Sequence, residues 1–387
     1  AYRLTAPIPA LESAVPGGLL WRSLDKEPLF RSRLSAMERA SAYTRGSLSS
    51  NAVQALYGKR ISMTASRLER IRSCHFSYFM EYGLRAKPRT PAAFDAPQIG
   101  TFLHFLLEHV TRDVLSLGGF ARTDQDTLHA LVRKYIDEYV QKELRNFQNR
   151  NARFRYLFAR LRNTAYAVVD QAAEELRHSD FTPLAFELSF GDGKEADIPS
   201  VVISEPDGEL RVGGKVDRVD GWFKDGRIYL RVVDYKSGKK SFDLAAVRMG
   251  LDIQMLLYLF ALQKAGASRF GGEIEPAGVL YLPARDDILS AERNIPPDRL
   301  QAEREKQLRR SGLLLAEPQV LQAMEHEALK QPRYLPLRVN KNGDISGSLA
   351  SAAQLGKLGR YVETLLHDIS REIRQGNIDA DPCCHSE

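Results

Sequence analysis

With 387 residues, 43% of them hydrophobic and 27% charged, the chain has the make-up of a folded protein with a sizeable core, as two or three domains or as one domain with large insertions. No apolar run approaches the roughly 18 residues a membrane span needs, the opening AYRLTAPIPALESAV lacks the basic start and apolar core of a signal peptide, and three cysteines are too few for a disulfide-stapled secreted fold. A net charge of +6 and an isoelectric point near 9.1 favour anionic partners, nucleic acid first. A reducing, cytoplasmic setting is the expectation. The missing initial Met suggests a piece of a longer chain.

In chain order, residues 1–60 read as a polar, helical lead-in with Pro and Gly early. In ISMTASRLERIRSCHFSYFMEYGL (61–84) a strand-like scrap precedes a helix that Thr64 or Ser66 could cap, with Leu68, Ile71, Phe76 and Phe79 on its faces. Prolines at 88, 91 and 97 mark 87–98 as a loop. GTFLHFLLEHVTRDVLSLG (100–118) is an amphipathic helix closed by Gly118 and Gly119. Residues 124–180 form a long helical region. Its middle, RNFQNRNARFRYLFARLRNTAY, sets arginines among aromatics, as either a solvated helix face or a cationic strip beside a phosphate backbone.

From residue 184 the pattern turns to strands, over 184–190, 200–206, 209–223 and 227–238. Turns fall at Asp207–Gly208 and Lys224–Gly226. A helix follows over 242–266 and an apolar strand over 277–285. Residues 296–330 read as a charged helical stretch, and 351–376 as a last long helix before the tail NIDADPCCHSE.

The strand pair GGKVDRVDGWFKDGRIYLRVVDYKSG (213–238) carries charge where a sheet should bury apolar groups. Residues i and i+2 of a strand share a face, so Asp234 and Lys236 point one way and Tyr235 the other. Asp217 comes alongside if the turn at 224–226 pairs the two strands. Like charges at close range raise each other's proton affinity unless a cation sits between them. A hard divalent metal suits carboxylate oxygens, a backbone carbonyl and water. The lysine could orient a water or steady a developing negative charge. That is a design for metal-assisted phosphodiester hydrolysis. The bland alternative is salt bridging across a surface hairpin, the category to which Lys215, Asp220 and Lys240 are assigned.

GGKVDRVD, then VVDYKSG, then IQMLLY within a helix, resembles the RecB-like branch of the PD-(D/E)xK nucleases. Asp217 matches the aspartate of the G-x-x-D-R-x-D strand, and Asp234 and Lys236 match the D-x-K pair. Gln254 and Tyr258 match Q-x-x-x-Y, four apart and so on one helix face. Gly100 and His104 match the G-x-x-x-H that supplies a metal-side histidine. Glu187 matches the acid that often precedes the core. His109, five residues beyond His104, points elsewhere and is read as structural. Upstream, SRLERIRSCHFSYFMEYGL is similar to the S-x-x-E-x-x-x-x-C-P-F-x-Y-F segment of AddB-type subunits of AddAB helicase–nucleases, with His75 in place of proline. LSSNAVQALYG and IRQGNIDADP also fit. The resemblance runs from about residue 48 onward.

The resemblance implies an α/β, restriction-endonuclease-like core, a mixed central sheet flanked by helices with helical insertions. It implies a lead-in over 1–60, the tail of a helicase-like region, and a RecB-like nuclease domain over 61–387. Within that domain it places a helical insert at 124–180, a catalytic core at 184–285 and a helical segment at 296–387. It implies Mg²⁺, or Mn²⁺, held by His104, Asp217, Asp234 and the Tyr235 carbonyl. Lys236 would position or activate the attacking water, while Gln254 and Tyr258 would support the site and touch the DNA. It implies exodeoxyribonuclease action on single strands and strand ends, in a heterodimer with an AddA-type subunit, for double-strand-break repair and recombination, with no membrane involved.

In that family Cys74 would join three C-terminal cysteines in a [4Fe–4S] cluster. Cys383 and Cys384 are adjacent and lack the expected spacing, so they read as ordinary thiols, and the cluster reads as incomplete here. No G-x-x-x-x-G-K-[ST] loop occurs, which leaves ATP hydrolysis to the partner. The rival readings are an inactive DNA-binding or scaffold module of the same complex and a stand-alone RecB-family exonuclease.

Overall fold

The computed structural model describes residues 26–33 except 29, 46–86, 96–143, 152–284 except 194 and 239, 296, 299, and 309–383. Most of the lead-in expected over 1–60 lies outside them, as do 87–95 of the expected loop and 144–151 of the arginine-rich segment. Ser49 opens α1 (Ser50–Tyr57) by accepting from the Ala52 N–H. β1 (Arg60–Thr64) buries Ile61 and Met63 on alternate positions. α2 (Ala65–Ser73) buries Ala65, Leu68 and Ile71 at helical spacing. The single helix expected here breaks at Cys74, whose backbone is extended, before α3 (His75–Tyr78) and a π-turn over Phe79–Gly83.

α4 (Ala96–Ser116) buries Phe102, Leu103, Leu106, Leu107, Val110 and Val114, the stripe its sequence promised. α5 (Gln125–Lys142), capped by Asp124, and α6 (Ala152–Arg177) lie against it. The Phe102 ring meets Tyr139 of α5 at 5.0 Å and Phe158 of α6 at 5.6 Å.

The strands that follow are β2 (Thr182–Gly191), β3 (Ile198–Pro199), β4 (Val201–Glu205), β5 (Gly208–Lys224) and β6 (Arg227–Lys236). Three helices come next, α7 (Leu244–Arg248), α8 (Gln254–Ala265) and α9 (Ala267–Phe270), then β7 (Glu273–Pro283). Beyond 309 lie β8 (Ser311–Leu315), α10 (Pro318–Met324), the small β9 (Leu337–Val339) and β10 (Ile345–Gly347) pair, β11 (Leu349–Ala350) and α11 (Ala352–Arg374). Among the described residues a nine-stranded mixed sheet runs β11-β8-β7-β6-β5-β2-β3, with β1 and β4 on the first half of β5. The expected mixed sheet flanked by helices is what the structure shows.

β5 and β6 form the expected hairpin. Lys224 pairs with Arg227 across Asp225 and Gly226, both at positive φ (50° and 77°), the turn that matches strand twist. β5 changes partners at Gly213 and Gly214, leaving β1 for β2. A Cβ on Gly214 would lie 2.1 Å from the Tyr258 hydroxyl, so only glycine lets α8 come this close. α8 packs against β6 and β7 on one side and α11 on the other, which is why Met255 to Leu262 are all buried.

Two further helical expectations fail. Within 296–330, Ser311–Leu315 is strand β8 rather than helix, and the segment 296–387 also holds β9, β10 and β11. SGLLL is short and apolar, and antiparallel pairing with β7 decides its conformation over local propensity. The helix expected over 242–266 is split, because Gly250 (φ 80°) and Asp252 (φ 55°) turn the chain between α7 and α8.

The far face of the hairpin is ionic. Arg218, Asp220 and Arg231 are fully buried. Arg218 Nε lies 2.8 Å from Asp220 Oδ1, and Arg231 Nε 2.9 Å from Asp220 Oδ2. Glu175 of α6 continues the chain of charges to Arg231 (3.3 Å) and to Arg310 (2.9 Å). Burial pushes the Glu175 carboxyl up, but the guanidiniums of Arg310, Arg231 and Arg218 outweigh it and hold it below the usual range. Asp220 is therefore a core residue and not the surface salt-bridge residue that its sequence position suggested. No helix among the described residues is long and apolar enough to cross a membrane.

Candidate active site

The register Arg218↔Val233 of β5 and β6 sets Asp217 level with Asp234. The Tyr235 N–H donates to Asp217 Oδ2 at 2.8 Å, which fixes that carboxylate. On the other side of β5, the pairs Phe186↔Arg218 and Leu188↔Val216 set Glu187 of β2 opposite Asp217. Glu187 has a φ of 50°, a left-handed conformation that a glutamate inside a strand adopts only under constraint. It follows a β-bulge between Pro183 and Ala185, which re-aims the strand. Lys215 Nζ lies 2.7 Å from Glu187 Oε2, so this lysine is bound to the site's edge.

His104 arrives from α4. Its Nε2 is 3.0 Å from the Tyr235 carbonyl oxygen, and its Nδ1 is 3.5 Å from Asp217 Oδ1 and 4.0 Å from Glu187 Oε1. A carbonyl only accepts, so Nε2 carries the proton and Nδ1 faces the two carboxylates. This is the usual way a backbone carbonyl orients a metal-binding imidazole. Asp234, which is buried, lies 2.7 Å from Lys236 Nζ through Oδ2.

The electrostatics follow from the crowding. Burial, and then the Asp234 charge, push the Asp217 carboxyl up to about 6, against the opposing pull of His104 and of the Tyr235 N–H. The hydrogen bond to Glu187 holds the Lys215 ammonium above its ordinary value. Tyr258 is buried, and burial pushes its phenol up to about 12, while the Lys215 backbone N–H and Gln254 hydrogen-bond to it. Its ring stacks on Phe190 at 5.3 Å.

Among the described residues, His104, Glu187 and Asp217 each offer a ligand atom within 4.8 Å of the others. Two carboxylates and an imidazole, one carboxyl raised in proton affinity by burial and by Asp234, form a donor set that a divalent cation suits. Of the ligands expected from the sequence, His104 and Asp217 lie together and Asp234 lies across the hairpin from Asp217, paired with Lys236. The Tyr235 carbonyl accepts from His104. Glu187, matched to a family acid but not counted as a ligand, stands closer to His104 than its sequence distance suggested. Its signal was the alternation of FELSF, which puts Glu187 on the face of β2 opposite Phe186 and Leu188. Gln254 opens α8 and faces Tyr258. Tyr258 is buried, with its hydroxyl against Gly214 of β5.

Cys74 sits between α2 and α3, and the chain's tail returns to it. The Cys383 N–H donates to the Ser73 carbonyl at 2.8 Å, and Cys383 Sγ lies 3.4 Å from Met249 Sδ. Cys384 lies outside the described residues. Cys74 and Cys383 are the free thiols among the described residues, and the three cysteines of the sequence are one fewer than a cubane cluster takes.

The family model of the PD-(D/E)XK nuclease superfamily matches residues 62–386. The chain is 31% identical, over 98% of its length, to an ATP-dependent helicase/deoxyribonuclease subunit of Ruminiclostridium cellulolyticum, of which it covers 34%. It is 32% identical over 94% of its length to the protein of that name from Acetivibrio thermocellus, covering 32%. With that from Clostridium perfringens it shares 30% over 92%, again covering 32%. The chain thus spans about a third of the length of the curated relatives it matches. The resemblance carried by the DYK, Q-x-x-x-Y and upstream cysteine segments is borne out by these matches.

Proposed function

The chain belongs to the PD-(D/E)XK nuclease superfamily, and from that membership and the site's geometry we propose that it hydrolyses DNA phosphodiester bonds with a divalent metal, Mg²⁺ or Mn²⁺. The observation that carries this reading is the convergence of His104 Nδ1, Asp217 and Glu187, from three separate elements, beside the Asp234–Lys236 pair. His104, Asp217 and Glu187 would hold the ion, with Asp234 across the hairpin. When bound, the metal would polarise the phosphate and favour a deprotonated water. Lys236 Nζ, steadied by Asp234, hydrogen-bonds the attacking water or a developing phosphate charge. The Tyr235 backbone holds both His104 and Asp217 in place. Gln254 braces Tyr258, whose hydroxyl packs against Gly214 of β5.

Because the relatives are named as subunits of ATP-dependent helicase/deoxyribonucleases, we place this chain in an AddB-type subunit paired with an AddA-type partner. It would trim single strands at DNA ends during double-strand-break repair and recombination. The test is cleavage of end-labelled single-stranded DNA by the full-length protein and its complex, with Mg²⁺ or Mn²⁺ and with chelator. Lys236→Ala should lower the rate by about 10²- to 10⁴-fold, the range for a lost proton-handling or positioning group. Equal rates for parent and Lys236→Ala would remove the lysine's role. No metal-dependent cleavage by the parent would favour an inactive DNA-binding module.

A further inference from the structure

The arginine-rich stretch of α6 takes no part in the site described above. Its buried residues Phe158, Leu161, Ala165 and Val168 recur at helical spacing and face inward. The solvent side shows Tyr156 and Arg160, four apart and so on one face, with Arg155 and Arg162 exposed together along its flank. No Asp or Glu occurs from 152 to 169, so no acid one turn away offsets these guanidiniums. Arg155, Arg160 and Arg162 make no ion pair among the described residues. Tyr156 stands 62% exposed between them. Arg155 and Arg162, seven residues and so about two turns apart, lie on one flank about 10.5 Å apart along the helix axis. Phe158, on the inner face, packs against Phe102 at 5.6 Å, and Phe102 lies two residues before His104 on α4. This stripe of exposed arginines therefore lies on the side of α6 turned away from α4.

We infer that this face of α6 is a track for a single DNA strand. The guanidiniums lie along phosphates and the Tyr156 ring stacks beneath a base. Unpaired cations interleaved with an exposed aromatic are what a single strand takes. A protein partner would want a contiguous apolar centre, and among the described side chains of this face only Leu157, 39% exposed, offers one. The inference rests on the nuclease reading for the identity of the strand.

Binding can be measured without cleavage. The full-length protein carrying Asp217→Asn is titrated with fluorescent oligothymidylate over a range of salt. Adding Arg155→Gln, Arg160→Gln and Arg162→Gln together should weaken binding at least tenfold near physiological salt. It should also flatten the plot of log affinity against log salt by about 2, at roughly 0.7 for each phosphate of a single strand that is no longer neutralised. Tyr156→Ala should cost about tenfold with the salt slope unchanged, as for a lost base stack. Arg155→Lys, Arg160→Lys and Arg162→Lys together should keep the slope. Unchanged affinity and slope in the glutamine variant would overturn the inference, as would equal losses in the lysine and glutamine variants. If the parent fails to cleave DNA, the nuclease reading falls while the slope still reports on the stripe. If it cleaves and the slope does not move, the stripe alone is wrong.

Discussion

Asp217 concentrates the chemistry at the scale of single residues. Burial and Asp234 keep its proton on up to about 6, above an ordinary value near 3.8. Between those values the folded chain holds a proton that the unfolded chain has released. Stability without metal therefore falls as pH rises through that window and levels off above it. Thermal melts in chelator from about pH 4 to 7 should show this decline, and Asp217→Asn should abolish its share of it. Metal binds only the deprotonated carboxylate, so added Mn²⁺ should raise the melting temperature above pH 6 and little below pH 4. Parallel pH curves for parent and variant would show that Asp217 is not crowded in this way. Glu187, held at positive φ, shows the same economy: an unfavourable backbone persists because it delivers a carboxylate.

The β5–β6 hairpin is two-faced at the scale of elements. Period-2 alternation sends Asp217, Asp234 and Lys236 to the site and Arg218, Asp220 and Arg231 to the interior. The interior charges serve the site indirectly. Arg218 Nη1 donates to the Tyr235 hydroxyl at 3.1 Å, and the backbone of that same tyrosine positions His104 and Asp217. Glu175 ties this face to α6 and to Arg310. Removing its carboxylate leaves two buried guanidiniums facing a void, a change worth about 3–5 kcal/mol. Glu175→Ala should lower the unfolding midpoint in denaturant accordingly, with Glu175→Gln less severe. A loss under about 1 kcal/mol would mean that water replaces the carboxylate and the network is not sealed.

For the whole molecule, the decisive feature is the joining of the segment at 48–76 to that at 376–383. The Leu48 N–H donates to the Gly376 carbonyl, Phe76 to Asp379, and Cys383 to Ser73. Between them the buried His75 presents Nε2 to Glu372 at 3.1 Å and Nδ1 to Asp381 at 2.9 Å. The hydrogen bond to Glu372 leads in raising its pKa, burial opposes it and Asp381 adds to the rise, so the ring serves as a doubly donating cation between two acids. His75→Ala should speed hydrogen exchange of the amides near 376–383 by about tenfold or more, since each charge-assisted bond contributes about 1.5–3 kcal/mol. Unchanged protection would mean that the backbone bonds alone hold the tail.

Much of this is legible in one dimension. The β5–β6 hairpin is readable because its turn chemistry is local and its alternation is regular. The helix of His104 is readable because its apolar stripe is long. The families are readable because motif order survives along the chain. What fails is non-local. SGLLL becomes a strand because β7 is there to pair with it, and Asp220 goes inward because Arg218 and Arg231 await it. Nor could the sequence show that Glu187 meets Asp217, since that depends on a bulge and a register between distant strands. The sequence by itself determined which residue types could do the chemistry and on which elements they ride. Only the tertiary structure decided which of them meet, because convergence of side chains far apart along the chain is set by sheet register and packing, which no local pattern encodes.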